Sequence, residues 1–176
     1  MPKCRPNLEK YLGTRPSQSQ EQARLIRIDG GVIPFMRKDT IRQKLVLMKQ
    51  YLSELDTLSH CSQEEYLSDF KTRRACERLI QVSIECMIDC NHALIAGMGI
   101  CPPASYADSI LKLVEHSIIS QDFAFRLIPY VSIRNRIVHE YEQIKDNLIF
   151  ATLRLFIKDM NQYLQIITNY IKSAKG

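Results

Sequence analysis

From residue 38 onward the apolar side chains step by three and four. Ile41, Leu45, Met48, Leu52 and Leu55 fall on one helical face and predict a first core helix from Lys38 to about Leu58. Ser62 and Glu65 then form a Ser-x-x-Glu capping box, in which each side chain satisfies the other residue's orphan backbone N–H. A long second helix should follow, ending near Ala96 at Gly97 and Gly99. Its apolar residues include Leu67, Phe70, Leu79, Ile80, Ile84, Met87, Ile88, Leu94 and Ile95. Cys101-Pro102-Pro103 reads as a loop. Ser105 with Asp108 repeats the capping signature ahead of a shorter helix carrying Ile110, Leu111 and Val114. Ser120 caps the next helix, with Asp122 beside the positive end of its dipole. Pro129 lacks an N–H and clashes with the preceding turn, so a kink or break is expected there, the chain resuming from Val131 to Tyr141. The last helix carries Ile149, Leu153, Phe156, Met160, Tyr163, Ile167 and Tyr170. No alternating strand pattern of useful length and no internal repeat is visible. The predicted fold class is all-α, a bundle of about five helices joined by short loops.

Residues 1–35 break this pattern. They hold four of the seven prolines, a Ser-Gln-Ser-Gln-Glu-Gln tract from Ser17 to Gln22, and Gly30-Gly31. Such a segment buries little, and it is read as an N-terminal extension, disordered or non-native, ahead of one domain over residues 36–176. Met36 opens the periodic region and is a candidate start of translation.

Charge narrows the function classes. The net charge is +5, but residues 1–35 carry six basic against three acidic side chains, leaving 18 against 16 in the remainder. The main body is therefore no polycation, and any contact with nucleic acid must come from a local patch. The six cysteines form no CxxC pair and have no ligand spacing with histidine, so no metal site is expected; Cys86 and Cys90, one turn apart, read as buried thiols. No apolar run approaches the roughly 18 residues that span a bilayer, and no apolar segment follows the N-terminal charges. The expectation is a cytoplasmic protein with no membrane partner and no cofactor.

The segment that carries chemistry is Ile133-Arg134-Asn135-Arg136-Ile137-Val138-His139-Glu140-Tyr141. Ile137 and Val138 can anchor it while the polar groups face outward. Asn135 and His139, four apart, share a helical face. Arg134 and His139 lie roughly 140° apart on an ideal helix, and converge only if the helix distorts or two chains meet across a two-fold axis. Metal-free RNA cleavage needs a group that titrates near neutrality and a fixed cation for the phosphate. Histidine and arginine meet those needs. The products would be a 2′,3′-cyclic phosphate and a 5′-hydroxyl. One histidine per chain is one proton handler short, and a dimer would supply the second.

Residues 36 to about 172, some four-fifths of the chain, resemble the HepT proteins, minimal HEPN toxins paired with an MNT nucleotidyltransferase antitoxin. Four separated pieces carry the likeness. Ile41-Arg42-x-Lys44-Leu45 is similar to the family's first helix. Glu77-Arg78-Leu79-Ile80-Gln81-Val82, running on to Ile88-Asp89-Cys90-Asn91-His92, is similar to its second. Pro103-x-Ser105-Tyr106-Ala107-Asp108 resembles its next loop-to-helix junction, and Arg134 to Tyr141 match the Arg-x4-His-x-Tyr motif. The resemblance implies a HEPN-type bundle in a two-fold dimer with a composite cleft. It also implies an endoribonuclease toxin acting on tRNA or mRNA, with Arg134 and His139 as the catalytic pair and Asn135 as support. Tyr141 would be the residue to which the antitoxin transfers AMP. The 35-residue leader departs from the family pattern.

Other polar residues compete less well. Asp89 and His92, three apart, either face the cleft, with Asp89 in support, or make a salt bridge and a helix hydrogen bond. His60 and His116 sit at element ends. Arg73, Arg74 and Arg78 form a stripe with Asp69 and Glu77 beside it, as a solvated face does. The alternative reading is a non-catalytic HEPN-like binding or scaffold module serving a nucleotidyltransferase, which would have no need of both Arg134 and His139.

Overall fold

The computed structural model describes residues 26–28, 31–33, 35–139 and 146–173, with side chains from 38 to 138 and from 147 to 173. Among the described residues six helices follow a short hairpin: β1 (Ile26–Ile28), β2 (Gly31–Ile33), α1 (Phe35–Leu58), α2 (Gln63–Ser68), α3 (Phe70–Gly97), α4 (Tyr106–Glu115), α5 (Gln121–His139) and α6 (Asp146–Ser173). The all-α bundle is as the apolar periodicity requires. β1 and β2 pair antiparallel, Ile26 opposite Ile33, and β2 lies beside α3. The sequence reading found no strand pattern of useful length, and these strands are three residues each. Three-residue strands are too short to show an alternating pattern, although β-branched residues flanking Asp29-Gly30 do carry hairpin chemistry. Residues 1–25 of the extension lie outside the described residues.

The Ser62 capping box forms as expected: Ser62 Oγ accepts from Glu65 N at 3.2 Å, and Glu65 Oε2 accepts from Ser62 N at 2.7 Å. The helix it opens, however, is short. Asp69 adopts an extended backbone that ends α2 and caps α3, its carboxylate accepting from Lys71 N and Thr72 N. The Thr72 hydroxyl, followed by those backbone bonds, lowers the Asp69 carboxyl from its ordinary value. This break turns about five helices into six. It also leaves Phe70 62% exposed and Leu67 at the surface, where the sequence reading had counted both among the apolar residues of one long helix.

At the other end of α3, Gly99 takes φ +69° and Ile100 N donates to Ile95 O, a Schellman closure that glycine accommodates without strain. Pro129 does not break α5, which runs unbroken to His139. Pro129 and Phe125 are both exposed, so the carbonyl of Phe125, deprived of its helical donor, lies on the solvent side.

α3 is the centre of the bundle, against α1, α2, α4, α5 and α6. It is long and apolar enough to cross a membrane by composition, yet most of its apolar window is buried among its neighbours. Ile41, Leu45, Met48, Leu52 and Leu55 of α1 are all buried, as are Ile149, Leu153, Phe156, Met160, Tyr163 and Ile167 of α6. Cys76, Cys86 and Cys90 join this core, and burial pushes the Cys76 and Cys90 thiols up to about 12, far from the reactive thiolate.

Two buried polar networks tie the helices together, the second of them on the helix that carries the motif. In the first, Tyr163 Oη donates to Asn91 Oδ1 at 2.7 Å, and Asn91 Nδ2 donates to Ser109 Oγ at 3.2 Å, joining α6, α3 and α4. In the second, the buried Asp159 carboxylate of α6 accepts from Arg126 Nε at 3.1 Å and from Tyr130 Oη at 2.9 Å. Arg126 also donates to Gln162 Oε1. The second network joins α5 to α6 one to two turns before Arg134.

Candidate active site

Arg134 projects from α5 across to α3, where its Nη2 donates to Glu85 Oε1 at 3.0 Å. Glu85 Oε1 also accepts from Gln81 Nε2 at 3.0 Å. The guanidinium lies over the ring of Tyr106 at the start of α4, 5.5 Å from its centroid, a cation–π contact. Three helices therefore hold one cation. Only 16% of the Arg134 side chain is exposed, and its Nε is buried with no hydrogen-bond partner among the described residues. An arginine clamped in this way is fixed in direction before any anion arrives, as a phosphate-holding group must be.

Tyr106 reaches this place because α4 is capped firmly. Ser105 Oγ accepts from Asp108 N at 3.0 Å, and Asp108 Oδ2 accepts from Ala104 N at 2.7 Å. The sequence signature read at Ser105 and Asp108 thus sets the wall of the site. Asn135, next to Arg134, is exposed and lines a cavity of about 490 Å³ together with His92, Ser105, Tyr106, Ile128 and Val131. His139 is the last residue of α5, roughly 7.5 Å along the axis from Arg134 at the standard helical rise. The His139 side chain and Tyr141 lie outside the described residues.

Asp89 does not join Arg134 in these contacts. Its Oδ2 lies 2.6 Å from Lys44 Nζ of α1, and this hydrogen bond raises the Lys44 pKa above its ordinary value. Both partners are well exposed, so the pair adds little stability. Glu85 and the packing role of Tyr106 were missed from sequence. The only available signal was spacing: Glu85, Asp89 and His92 recur at four and three along one face of α3, and a carboxylate there can meet a cation from a neighbouring helix.

Known structures identify the fold first. The tri-AMPylated HEPN toxin of Shewanella oneidensis, solved in complex with an MNT antitoxin, superposes with a TM-score of 0.69 at 21% identity, covering 74% of this chain and 98% of that one. The fold is that of a HEPN toxin. The profile of the "Ribonuclease HepT-like" family matches residues 48–167, a span that contains Glu85, Tyr106, Arg134, His139 and Tyr141, and the chain belongs to that family. Among characterised relatives it is 27% identical to the tRNA nuclease HepT of Aphanizomenon flos-aquae over 131 residues, 74% of this chain and 89% of the relative. It is 21% identical to the mRNA nuclease HepT of Shewanella oneidensis over 129 residues, 73% of this chain and 96% of the relative.

Proposed function

We propose that this protein is the toxin of a toxin–antitoxin pair, an endoribonuclease that cuts RNA with Arg134 and His139 and without a metal ion. The observation that carries the reading is the clamped Arg134, held by Glu85 and Tyr106 on the same helix as His139 in a HepT-like chain. Arg134 holds the scissile phosphate as charge builds on its oxygens. One His139 takes the proton of the ribose 2′-OH as that oxygen attacks phosphorus. The bond to the 5′-oxygen breaks, and a second histidine protonates the leaving oxygen, giving a 2′,3′-cyclic phosphate and a 5′-hydroxyl. Two chains about a two-fold axis supply the two histidines. Asn135 is a polar support beside Arg134, and Asp89 acts only through its pair with Lys44. The partner is an MNT nucleotidyltransferase that silences the toxin by AMP transfer to Tyr141, setting negative charge where RNA phosphate would bind. The relatives' names support tRNA or mRNA as substrate; the proposed site of cutting is the cytoplasm.

Induced expression in a bacterial host, with total RNA end-mapped, tests this reading. Wild type should arrest growth and leave new RNA ends that His139→Ala abolishes and that persist in lysates treated with EDTA. Tyr141→Phe should stay toxic even when the antitoxin is co-expressed. Equal growth and intact RNA in wild type and His139→Ala would instead favour a non-catalytic module that serves the nucleotidyltransferase.

Glu85 should act by positioning. Glu85→Gln keeps the side chain's shape but loses the charge that aligns Arg134, so kcat should fall about tenfold with KM changed less than about threefold. A faster enzyme would show instead that Glu85 restrains Arg134 from the phosphate.

A further inference from the structure

We propose that the cavity beside Arg134 is a subsite for one unpaired nucleobase of the RNA, recognised by His92 and Asn135; this rests on the ribonuclease reading above. The cavity measures about 490 Å³, within the roughly 300–1,000 Å³ of clefts that bury small-molecule-sized groups. Its lining decides the chemical class. No lysine, arginine, aspartate or glutamate is among the lining residues, so neither a phosphate nor a metal ion is the fitting occupant. Ile128 and Val131 supply apolar wall, and Ser105, Asn135 and His92 supply hydrogen-bonding groups. A flat, uncharged heteroaromatic ring with a polar edge matches that mixture, and unpaired RNA bases are read through such edges.

His92 is the second observation. Its ring lies tilted against Tyr106, centroids 6.2 Å apart, and its Nε2 is shielded from solvent with no hydrogen-bond partner among the described residues. A buried polar atom without a partner is rare in a folded protein. In this proposal the base edge supplies the partner that His92 Nε2 lacks. The Asn135 amide offers a donor and an acceptor to the same edge. Position fits as well, because Tyr106 forms one wall of the cavity and carries the Arg134 guanidinium, so base and phosphate sites share one side chain. A nucleotide presents its base and its phosphate together in this way.

Two measurements test the subsite. In the first, the full chain carrying His139→Ala is titrated with AMP, GMP, CMP and UMP while the His92 imidazole resonances are followed, assigned by comparison with a His92→Phe spectrum. At least one nucleotide should shift them saturably, and ribose 5-phosphate, which has the sugar and phosphate but no base, should leave them in place. Equal shifts with ribose 5-phosphate, or no shift with any nucleotide, would overturn the proposal. In the second, RNA of randomised sequence is cut by wild type and by His92→Phe. Wild type should prefer one nucleotide beside the break, and that preference should weaken at least about fivefold in the variant; an unchanged preference would also overturn it. If no RNA is cut at all, the ribonuclease reading fails, and the resonance shifts alone decide the cavity.

Discussion

Arg134→Ala is expected to lower kcat/KM for RNA cleavage by about 10³-fold, equivalent to about 4 kcal/mol of transition-state stabilisation. The guanidinium is pre-aligned by Glu85 at 3.0 Å and by the Tyr106 ring, so its two-pronged hydrogen bonding meets the phosphate without reorganisation. Arg134→Lys should recover no more than about tenfold of the loss, because an ammonium keeps the charge but not the planar fork. Stability should change little. Glu85 is about one-third exposed and can return to water when its partner goes, so the melting midpoint should fall by no more than about 4 °C. Single-turnover cleavage read alongside thermal melting separates the two effects. Wild-type cleavage by Arg134→Ala with a lowered midpoint would make Arg134 a structural bridge between α5 and α3 and would remove the core of the proposed mechanism.

The second large effect is expected on the fold. Asp159 is 1% exposed and accepts from both Arg126 and Tyr130. Asp159→Ala leaves the buried Tyr130 hydroxyl without an acceptor and opens a space between α5 and α6. The Arg126 side chain is 45% exposed and rehydrates, so the loss falls below that of a fully buried pair, at about 2–3 kcal/mol. For a chain of this size that lowers the midpoint by roughly 4–12 °C. Asp159→Asn preserves shape and one acceptor, and should cost about half as much. Cleavage should be retained below the new midpoint, since neither Asp159 nor Arg126 touches the site residues. A midpoint shift under about 2 °C for Asp159→Ala would mean that the network contributes nothing net. Burial and the bond to Asp159 already push the Tyr130 phenol well above its ordinary value, so it remains a donor throughout the working pH range.

Repetition made most of the fold legible. Steps of three and four placed α1 and α6 with nearly every core residue correct, because a helix that must bury one face repeats its apolar residues regardless of what it packs against. Caps at Ser62, Ser105 and Ser120 were equally readable, since capping joins residues three apart and needs no tertiary partner. The motif was legible in the same local sense: Arg134, Asn135 and His139 stand on one continuous helix, in an order that points to a cation and a proton carrier.

Other features depended on the assembled bundle. Asp69 is the local exception: it could extend α2 or end it, and it ends it because its carboxylate caps α3 two and three residues on, leaving Phe70 exposed. Pro129 breaks no helix because α5 turns that side to water. Glu85 and Arg134 are 49 residues apart, and Asp159 and Arg126 are 33 apart. Neither pairing has any periodicity to announce it. By itself the sequence determined the helices, their caps, the buried faces and the residue types available for chemistry, because those are set by contacts within a few residues. Only the tertiary structure decided that Glu85 and Tyr106 aim Arg134, that Asp89 is engaged by Lys44, and that His92 and Asn135 share a cavity beside it, because contacts between distant residues follow from how the helices cross.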